Sequence, residues 1–377
     1  MKINSIIFIL SFILLFSCAT VETKVNPEIS SIEIDENKKF LTYLENDWQK
    51  TLDDNPLFAS YTGDKRNNNK ISSNDIDNFN KGKKSDEQSL KLLKSIDISK
   101  LSEENKLNYK LKEFDLLSSI GTKDFPTYYL RLNQRGGIQS FYETGNRLVY
   151  TSKQDYFDWL NRLKQFETNI YNALEINKEG LLNGHTQPKL VTRGVIAQLK
   201  SIIESDIDSN PYMKVFLDAD DSLLTKDEKA NLINEAKELI QNKINPAYEK
   251  LFNFLKDDYL PNSRDSIGIK DIPNGKEYYK FLAKFYTTTD LTPEDIHNIG
   301  LKEIKRIRME MEQIITQVNW DGDFNSFLNY LRTSPRFYYE NGEDLFNAYL
   351  IMSKTIDPLL PKIFKEFPRA PYGVKPI

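Results

Sequence analysis

Hydrophobic residues recur every three or four positions through most of the chain, which is the spacing of one face of an α-helix. The first such segment carries Phe40, Tyr43 and Trp48 and stops at Asn55-Pro56, a typical helix end. Polar residues then dominate from Tyr61 to Lys84, which predicts a loop with little capacity to bury itself. The pattern therefore predicts helices that are joined by polar connections.

Two later segments strengthen the helical interpretation. A helix is predicted after Ser102, with Leu107 and Leu111 on its buried side. Thr292-Pro293 is the clearest helix start, because threonine caps a helix and proline fits its first turn. An apolar stripe follows from Ile296 to Val318. No segment alternates like a strand, so the predicted fold class is mostly α, with one large helical domain over residues 37–377.

The segment from Phe125 to Arg147 departs from the helical pattern and contains paired glycines. A long irregular stretch inside a helical protein is more often functional than accidental. We therefore treat Asn133, Gln134 and Arg135 as candidate contacts in a substrate cleft.

The aromatic pair Tyr278-Tyr279 is a second candidate for the same cleft. Tyrosine hydroxyls in a cleft can polarise a carbonyl group or bind a peptide backbone. The alternative is that both rings simply pack in the core, since each aromatic side chain buries a large area.

The first residues predict an export signal. The apolar run from Ile6 to Phe16 has the size of a signal-peptide core and is too short to span a bilayer. It ends in Leu15-Phe16-Ser17-Cys18, which resembles the lipobox of bacterial lipoproteins. That resemblance implies a signal peptide over residues 1–17, a lipidated Cys18 and a polar tether over residues 18–36. The alternative is an ordinary secretory signal in which Cys18 is incidental.

The same resemblance implies a location in the bacterial cell envelope, with the body facing the periplasm and the lipid in the membrane. Ala19 follows the cysteine, and the absence of aspartate there favours the outer membrane.

Composition removes several kinds of chemistry. The 51 Lys+Arg residues balance 55 Asp+Glu residues without a basic block, which excludes a nucleic-acid partner. One cysteine excludes an internal disulfide and a thiolate metal site. Glu294-x-x-His297 is half of a di-iron carboxylate pattern, but His185 has no matching glutamate, so no second pair exists. The residues themselves therefore predict no metal site and no cofactor.

Several motifs taken together resemble the bacterial domain of unknown function 885 family, whose members are often envelope lipoproteins. The central match comprises Gly268–Gly275, Tyr278-Tyr279 and Tyr286–Leu301, with further support from Asp64-Lys65-Arg66, Leu132-Asn133-Gln134, Ser334–Tyr338 and Phe367–Val374. The resemblance extends from near Phe40 to the last residue.

That family resembles the helical zinc metallopeptidases, which implies a helical body around a cleft and hydrolysis of a peptide-like bond. The family's metal-binding segment resembles His-Glu-x-x-Pro-Gly-His and lies downstream of Pro376-Ile377. The resemblance therefore implies that this chain is incomplete at its C-terminus and that zinc is expected only in full-length relatives. Such a body should expose apolar helix faces.

The sequence leaves two functions open. The first is a membrane-anchored lipoprotein that resembles a zinc-dependent peptidase but lacks the catalytic region, with a peptide as substrate. The alternative is a non-catalytic helical lipoprotein that binds peptides or envelope components. No catalytic residue can be assigned, and whether this chain is itself an enzyme stays open.

Overall fold

The computed structural model describes residues 35–376, so Cys18, the signal peptide and nearly all of the tether lie outside it. The chain divides into two compact units, of which the first ends at Pro273 and the second begins at Asn274. Between residues 35 and 376 the secondary structure is helical, with no strand. The prediction of a mostly α fold is confirmed.

The described helices are joined by loops and 3-10 turns, except that the π-helical segments Ile240–Ile244 and Leu255–Tyr259 connect α9, α10 and α11 without a break. The first unit contains α1 (Glu36–Asp54), α2 (Pro56–Tyr61), α3 (Ile76–Leu93), α4 (Glu103–Thr122), α5 (Tyr142–Arg147), α6 (Lys153–Leu182), α7 (Lys189–Ile203), α8 (Lys214–Leu217), α9 (Lys226–Leu239), α10 (Asn245–Phe254) and α11 (Leu260–Asn262). The second unit contains α12 (Gly275–Thr287), α13 (Pro293–Gln317), α14 (Phe324–Thr333) and α15 (Gly342–Ile356).

Two apolar cores stabilise the first unit. The smaller core lies among α1, α3 and α4, where Phe40, Leu93 and Tyr109 are buried. The larger core is centred on α6, which packs against α9 and α10 and buries Trp159 and Phe166. Because α6 contributes seven buried residues to the larger core, it is a rigid element on which neighbouring loops are positioned.

The predicted loop from Tyr61 to Lys84 is wrong in its second half, because α3 already begins at Ile76. Asp75 caps this helix by accepting a hydrogen bond from the Asn78 backbone N–H at 2.6 Å. The helix buries only Phe79 and Leu93, and mostly polar residues separate them. Two buried residues that lie far apart in a helix produce no periodic hydrophobic pattern in the sequence.

The helix predicted after Ser102 is confirmed, but its predicted buried side is wrong. Leu107 and Leu111 are 60% and 54% exposed, whereas Tyr109 and Leu116 are buried. The face that carries Tyr109 and Leu116 is the one that packs in the smaller core. Because α4 carries leucines on two of its sides, the sequence did not indicate which side is buried.

The second unit has a small interior. Gly275 and Ile315 are the buried residues within its helices, α12 to α15. The predicted stripe on α13 is present as a helix, but Ile304, Ile314 and Val318 are each at least half exposed. Its apolar face therefore lies at the surface of the described structure.

Buried Arg162 fixes the loop before α3. This fully buried residue of α6 donates from its guanidinium to Ser60 Oγ at 2.6 Å, to the Pro56 carbonyl at 3.1 Å and to the Lys70 carbonyl at 2.9 Å. Further along α6, Asn169 Nδ2 donates to the Ser72 carbonyl at 3.0 Å. These bonds attach both α2 and the 62–75 loop to α6, and Asn74 Nδ2 fixes the end of the loop by donating to the Asn169 carbonyl.

Asp155 stabilises the start of α6. It is 4% exposed and accepts hydrogen bonds from the Thr151 and Ser152 backbone N–H groups at 2.8 and 2.9 Å and from Lys65 Nζ at 2.6 Å. Burial opposes ionisation, but these donors outweigh it, so the pKa of Asp155 lies below its usual value. The Lys65 of the Asp64-Lys65-Arg66 motif thus has a structural role.

This pKa predicts a loss of stability in acid. A carboxyl group whose folded pKa is below its unfolded value of about 3.9 stabilises the fold above that value and stops doing so as pH falls through the folded pKa. We expect Asp155→Asn to lower the free energy of unfolding by about 2 kcal/mol at pH 7, since hydrogen bonds to charged groups are involved. Urea unfolding between pH 7 and pH 2 should show the variant and the wild type converging in acid. A constant difference across this range would contradict the assignment, and Asp257→Asn at the surface serves as control.

Candidate functional site

A cavity of about 260 Å³ lies in the first unit, between α6, the end of the 62–75 loop and the irregular segment after α4. We call it the asparagine cavity. Its polar wall contains Asn74, Arg131, Asn169 and Asn177, and its apolar wall includes Phe141, Phe166 and Ile176. The cavity therefore combines an apolar surface with a few polar groups, which is the usual composition of a small-molecule site.

Helix α6 supplies one side of the cavity. Asn169, Ala173 and Asn177 are spaced four residues apart and so lie on one face of the helix. The two asparagines are 8% and 4% exposed, although the rest of this face is apolar core. Polar residues at core positions of a helix cost stability unless they are satisfied. Asn169 donates to the Ser72 carbonyl, so it is the presence of Asn177 that calls for a reason.

Two of the asparagines have unsatisfied oxygens. Asn177 Nδ2 donates to the Ala173 carbonyl at 2.8 Å, and Asn74 Nδ2 donates to the Asn169 carbonyl at 2.9 Å. In both residues the Oδ1 atom is buried and has no hydrogen-bond partner. A buried acceptor without a donor costs about 1–3 kcal/mol. Both residues line the same cavity, which points to a ligand with N–H groups.

Arg131 is the one charged residue that lines the cavity. Its guanidinium lies over the Phe79 ring, with 5.5 Å from Cζ to the ring centroid. No acidic side chain of residues 35–376 forms an ion pair with it, and desolvation by the surrounding protein lowers the pKa of Arg131. Arg131 is exposed overall, so the cavity carries a solvent-accessible positive charge that has no acidic partner among residues 35–376.

The predicted contacts Asn133, Gln134 and Arg135 form the turn next to the cavity rather than its lining. The Asn133 and Gly136 backbones exchange two hydrogen bonds at 3.2 Å, and Asn133 Oδ1 accepts from the Arg135 N–H at 3.0 Å. The Gln134 carbonyl accepts from Gln198 Nε2 at 2.9 Å, which ties the turn to α7. The flanking residues, including Arg131 and Gly137, are the ones that reach the cavity.

Gly137 holds this turn in a conformation that other residues rarely adopt. Its φ is +148°, and a Cβ atom there would lie 2.7 Å from Gln139 Oε1. Gln139 is 1% exposed, and its Nε2 donates to the Asn133 carbonyl at 2.8 Å. Nearby, Tyr248 donates its hydroxyl to the Ile138 carbonyl at 2.8 Å, which anchors the segment in the larger core.

The other predicted candidates lie elsewhere. Tyr278 and Tyr279 lie on α12 in the second unit and do not line the asparagine cavity. Burial raises the pKa of Tyr278, whereas Tyr279 is 50% exposed. Cys18 lies outside the described residues.

The described residues do not fit a zinc site. His185 is 9% exposed, with its ring 5.3 Å from the Tyr129 ring and its Nδ1 3.1 Å from the Asn183 carbonyl. His297 is exposed on α13. Within residues 35–376, no three His, Cys, Asp or Glu side chains are grouped so that they could hold a metal ion.

The helices in this range are too short or too polar to cross a membrane.

The unsatisfied oxygen of Asn177 leads to a stability prediction. We expect Asn177→Leu to raise the free energy of unfolding by about 1 kcal/mol, because leucine removes a buried acceptor that has no donor. Asn245→Leu is the matched control, since Asn245 Oδ1 is also buried without a partner but does not line the cavity. Urea unfolding of both variants measures the effect. If Asn177→Leu lowers the free energy of unfolding and Asn245→Leu does not, then Asn177 Oδ1 is satisfied within the protein.

Comparison with known proteins identifies relatives of this fold. The family model described as "Bacterial protein of unknown function (DUF885)" matches residues 56–377. No curated protein matches the chain. The crystal structure of a candidate lipoprotein from Colwellia psychrerythraea is similar, with a TM-score of 0.77 and 20% sequence identity over 90% of this chain. The match covers 62% of that chain, and at this identity the likeness shows a shared fold.

Proposed function

The chain belongs to the bacterial family of unknown function DUF885, and we propose that it is a lipid-anchored protein of the cell envelope whose first unit binds peptide-like ligands. The observation that carries the binding proposal is the asparagine cavity, where an uncompensated guanidinium and two unsatisfied amide oxygens lie beside an apolar wall. Peptides offer N–H donors, carboxyl oxygens and apolar side chains, which complement each of these features.

The size of the cavity limits what it admits. Its volume of about 260 Å³ is slightly below the range of about 300–1,000 Å³ that ligand sites usually enclose. The cavity therefore suits one or two residues at the end of a peptide, with the remainder of the ligand outside.

Filling the cavity tests the binding proposal. Ala173 is 8% exposed and lines the cavity, so Ala173→Phe should occupy the space that a ligand needs. We expect the full chain in detergent to bind fluorescein-labelled short peptides and Ala173→Phe to weaken binding by about tenfold or more. Ala230→Phe on the exposed side of α9 is the control and should bind like the wild type. Absence of peptide binding by the folded wild type would refute the proposal.

Zinc-dependent hydrolysis is not proposed for the described residues. The resemblance to metallopeptidases implies such a reaction for the family, but the histidines at 185 and 297 do not belong to a metal-ligand group. The chain also spans 62% of the structural relative's length, so the activity of a whole family member is a separate proposal. What the described residues support is binding.

Lipid anchoring at Cys18 has its own test. The lipobox-like sequence before Cys18 supports it, and two or more acyl chains hold a protein on a membrane almost permanently. We expect the wild type to incorporate radiolabelled palmitate and to remain in the membrane fraction, and Cys18→Ser to lose the label. Palmitate labelling that persists in Cys18→Ser would contradict this assignment. Ala19→Asp should retain the label and move the protein from the outer to the inner membrane.

A further inference from the structure

We propose that the asparagine cavity recognises the C-terminal residue of a peptide, with Arg131 binding its free carboxylate and Asn74 and Asn177 accepting hydrogen bonds from backbone N–H groups. The inference rests on the proposed peptide binding and names the part of the ligand that enters the cavity.

The charge of the cavity favours an anion. Arg131 is the only charged group in the lining, and no acidic residue of the described chain pairs with it. A guanidinium presents parallel N–H donors that match the two oxygens of a carboxylate. An amidated or internal peptide segment would leave this charge uncompensated.

Donors on the same ligand would satisfy the asparagine oxygens. The amide nitrogens of Asn74 and Asn177 already donate to the carbonyls of Asn169 and Ala173, so the oxygen of each side chain is the free end. A phosphate or sulfate ion supplies negative charge but has no N–H group to offer. A peptide C-terminus carries a carboxylate and an amide N–H one residue apart, and so meets both requirements.

The apolar wall specifies the side chain of the terminal residue. Phe141 and Phe166 stack with their ring centroids 4.2 Å apart, and both line the cavity together with Ile176. A polar or charged side chain against this wall would lose its hydration without a partner. The terminal residue that fits best is therefore aliphatic, such as leucine.

Two matched ligands test the role of the carboxylate. N-acetyl-alanyl-leucine and its C-terminal amide differ only in this group, and binding of each to the full chain can be followed by calorimetry. We expect the acid to bind about fivefold more tightly than the amide in the wild type, the value of an ion pair that is open to solvent. Arg131→Gln should abolish the preference, whereas Arg147→Gln on exposed α5 should retain it. Arg131→Lys, which keeps the charge but not the fork of donors, should give an intermediate preference.

A third ligand tests the asparagine oxygens. The ester analogue of the same dipeptide replaces the leucine N–H by oxygen, and we expect it to bind about tenfold more weakly than the amide-linked acid. This difference should disappear in Asn177→Leu and persist in Asn245→Leu. Inorganic phosphate should compete only weakly.

The outcomes separate the two proposals. If acid and amide bind equally well to the wild type, peptide binding stands and C-terminal recognition is overturned. The same conclusion follows if the preference for the acid survives in Arg131→Gln. If neither dipeptide nor any longer peptide binds to the folded chain, both proposals fail.

Discussion

Replacing Phe166 with alanine is expected to lower the free energy of unfolding by about 4 kcal/mol. Phe166 is fully buried on α6, stacks on Phe141 at 4.2 Å and has the Tyr212 and Tyr248 rings about 6 Å away. Alanine removes this whole set of contacts and leaves a void that merges with the asparagine cavity. The cost therefore combines lost burial with an unfilled space.

Urea unfolding of the full chain measures this effect. Phe364→Ala is the matched control, because Phe364 is 54% exposed and the same change there should alter stability by less than about 0.5 kcal/mol. Phe166→Leu should lie between the two, since leucine keeps part of the volume. Equal stabilities for Phe166→Ala and Phe364→Ala would mean that α6 is not the centre of the larger core.

Replacing Arg162 with methionine is expected to cost about 3 kcal/mol, for a different reason. Methionine matches much of the volume but cannot donate to Ser60 or to the carbonyls of Pro56 and Lys70. Ser60 Oγ would still donate to the Pro56 carbonyl at 3.0 Å, so the main losses are the bonds to the Lys70 carbonyl and to Ser60 Oγ, at about 1–3 kcal/mol each before any relaxation. The 62–75 loop would also lose the bond from Arg162 to the Lys70 carbonyl, which is one of several that attach it to α6.

Hydrogen exchange can show which part of the protein Arg162→Met destabilises. We expect the backbone amides of residues 62–75 to exchange faster in Arg162→Met than in the wild type, while those of α7 stay protected. Arg193→Met, on the exposed side of α7, provides the comparison for a change of the same chemistry. Unchanged exchange in the loop, or an equal effect in Arg193→Met, would contradict the role assigned to Arg162. Because Asn74 lies at the end of this loop, the variant should also weaken peptide binding.

Much of the helical architecture could be predicted from local signals. Ser102 and Thr292 cap helices as the sequence indicated, and each cap acts within one turn of the chain. The start of α3 was missed because its buried residue, Phe79, packs against Tyr128, which lies far away in sequence. Local patterns thus predicted where helices begin more reliably than which of their faces is buried.

The candidate site was predicted only in part. The irregular segment was identified correctly as unusual, but Asn133 serves the turn, and the neighbouring Arg131 reaches the cavity. Asn169 and Asn177 at core positions of α6 were a signal in the sequence that went unused. That Arg131 has no counter-charge could not have been read from the sequence, because pairing is decided by residues brought together in the fold.

A crystal structure of the full chain with N-acetyl-alanyl-leucine bound would test directly whether the asparagine cavity binds a peptide C-terminus. We expect the ligand carboxylate about 3 Å from the Arg131 guanidinium, its leucine side chain against Phe166, and its amide N–H facing Asn177 Oδ1. A peptide bound at another surface, with the asparagine cavity unoccupied, would contradict peptide recognition by this cavity.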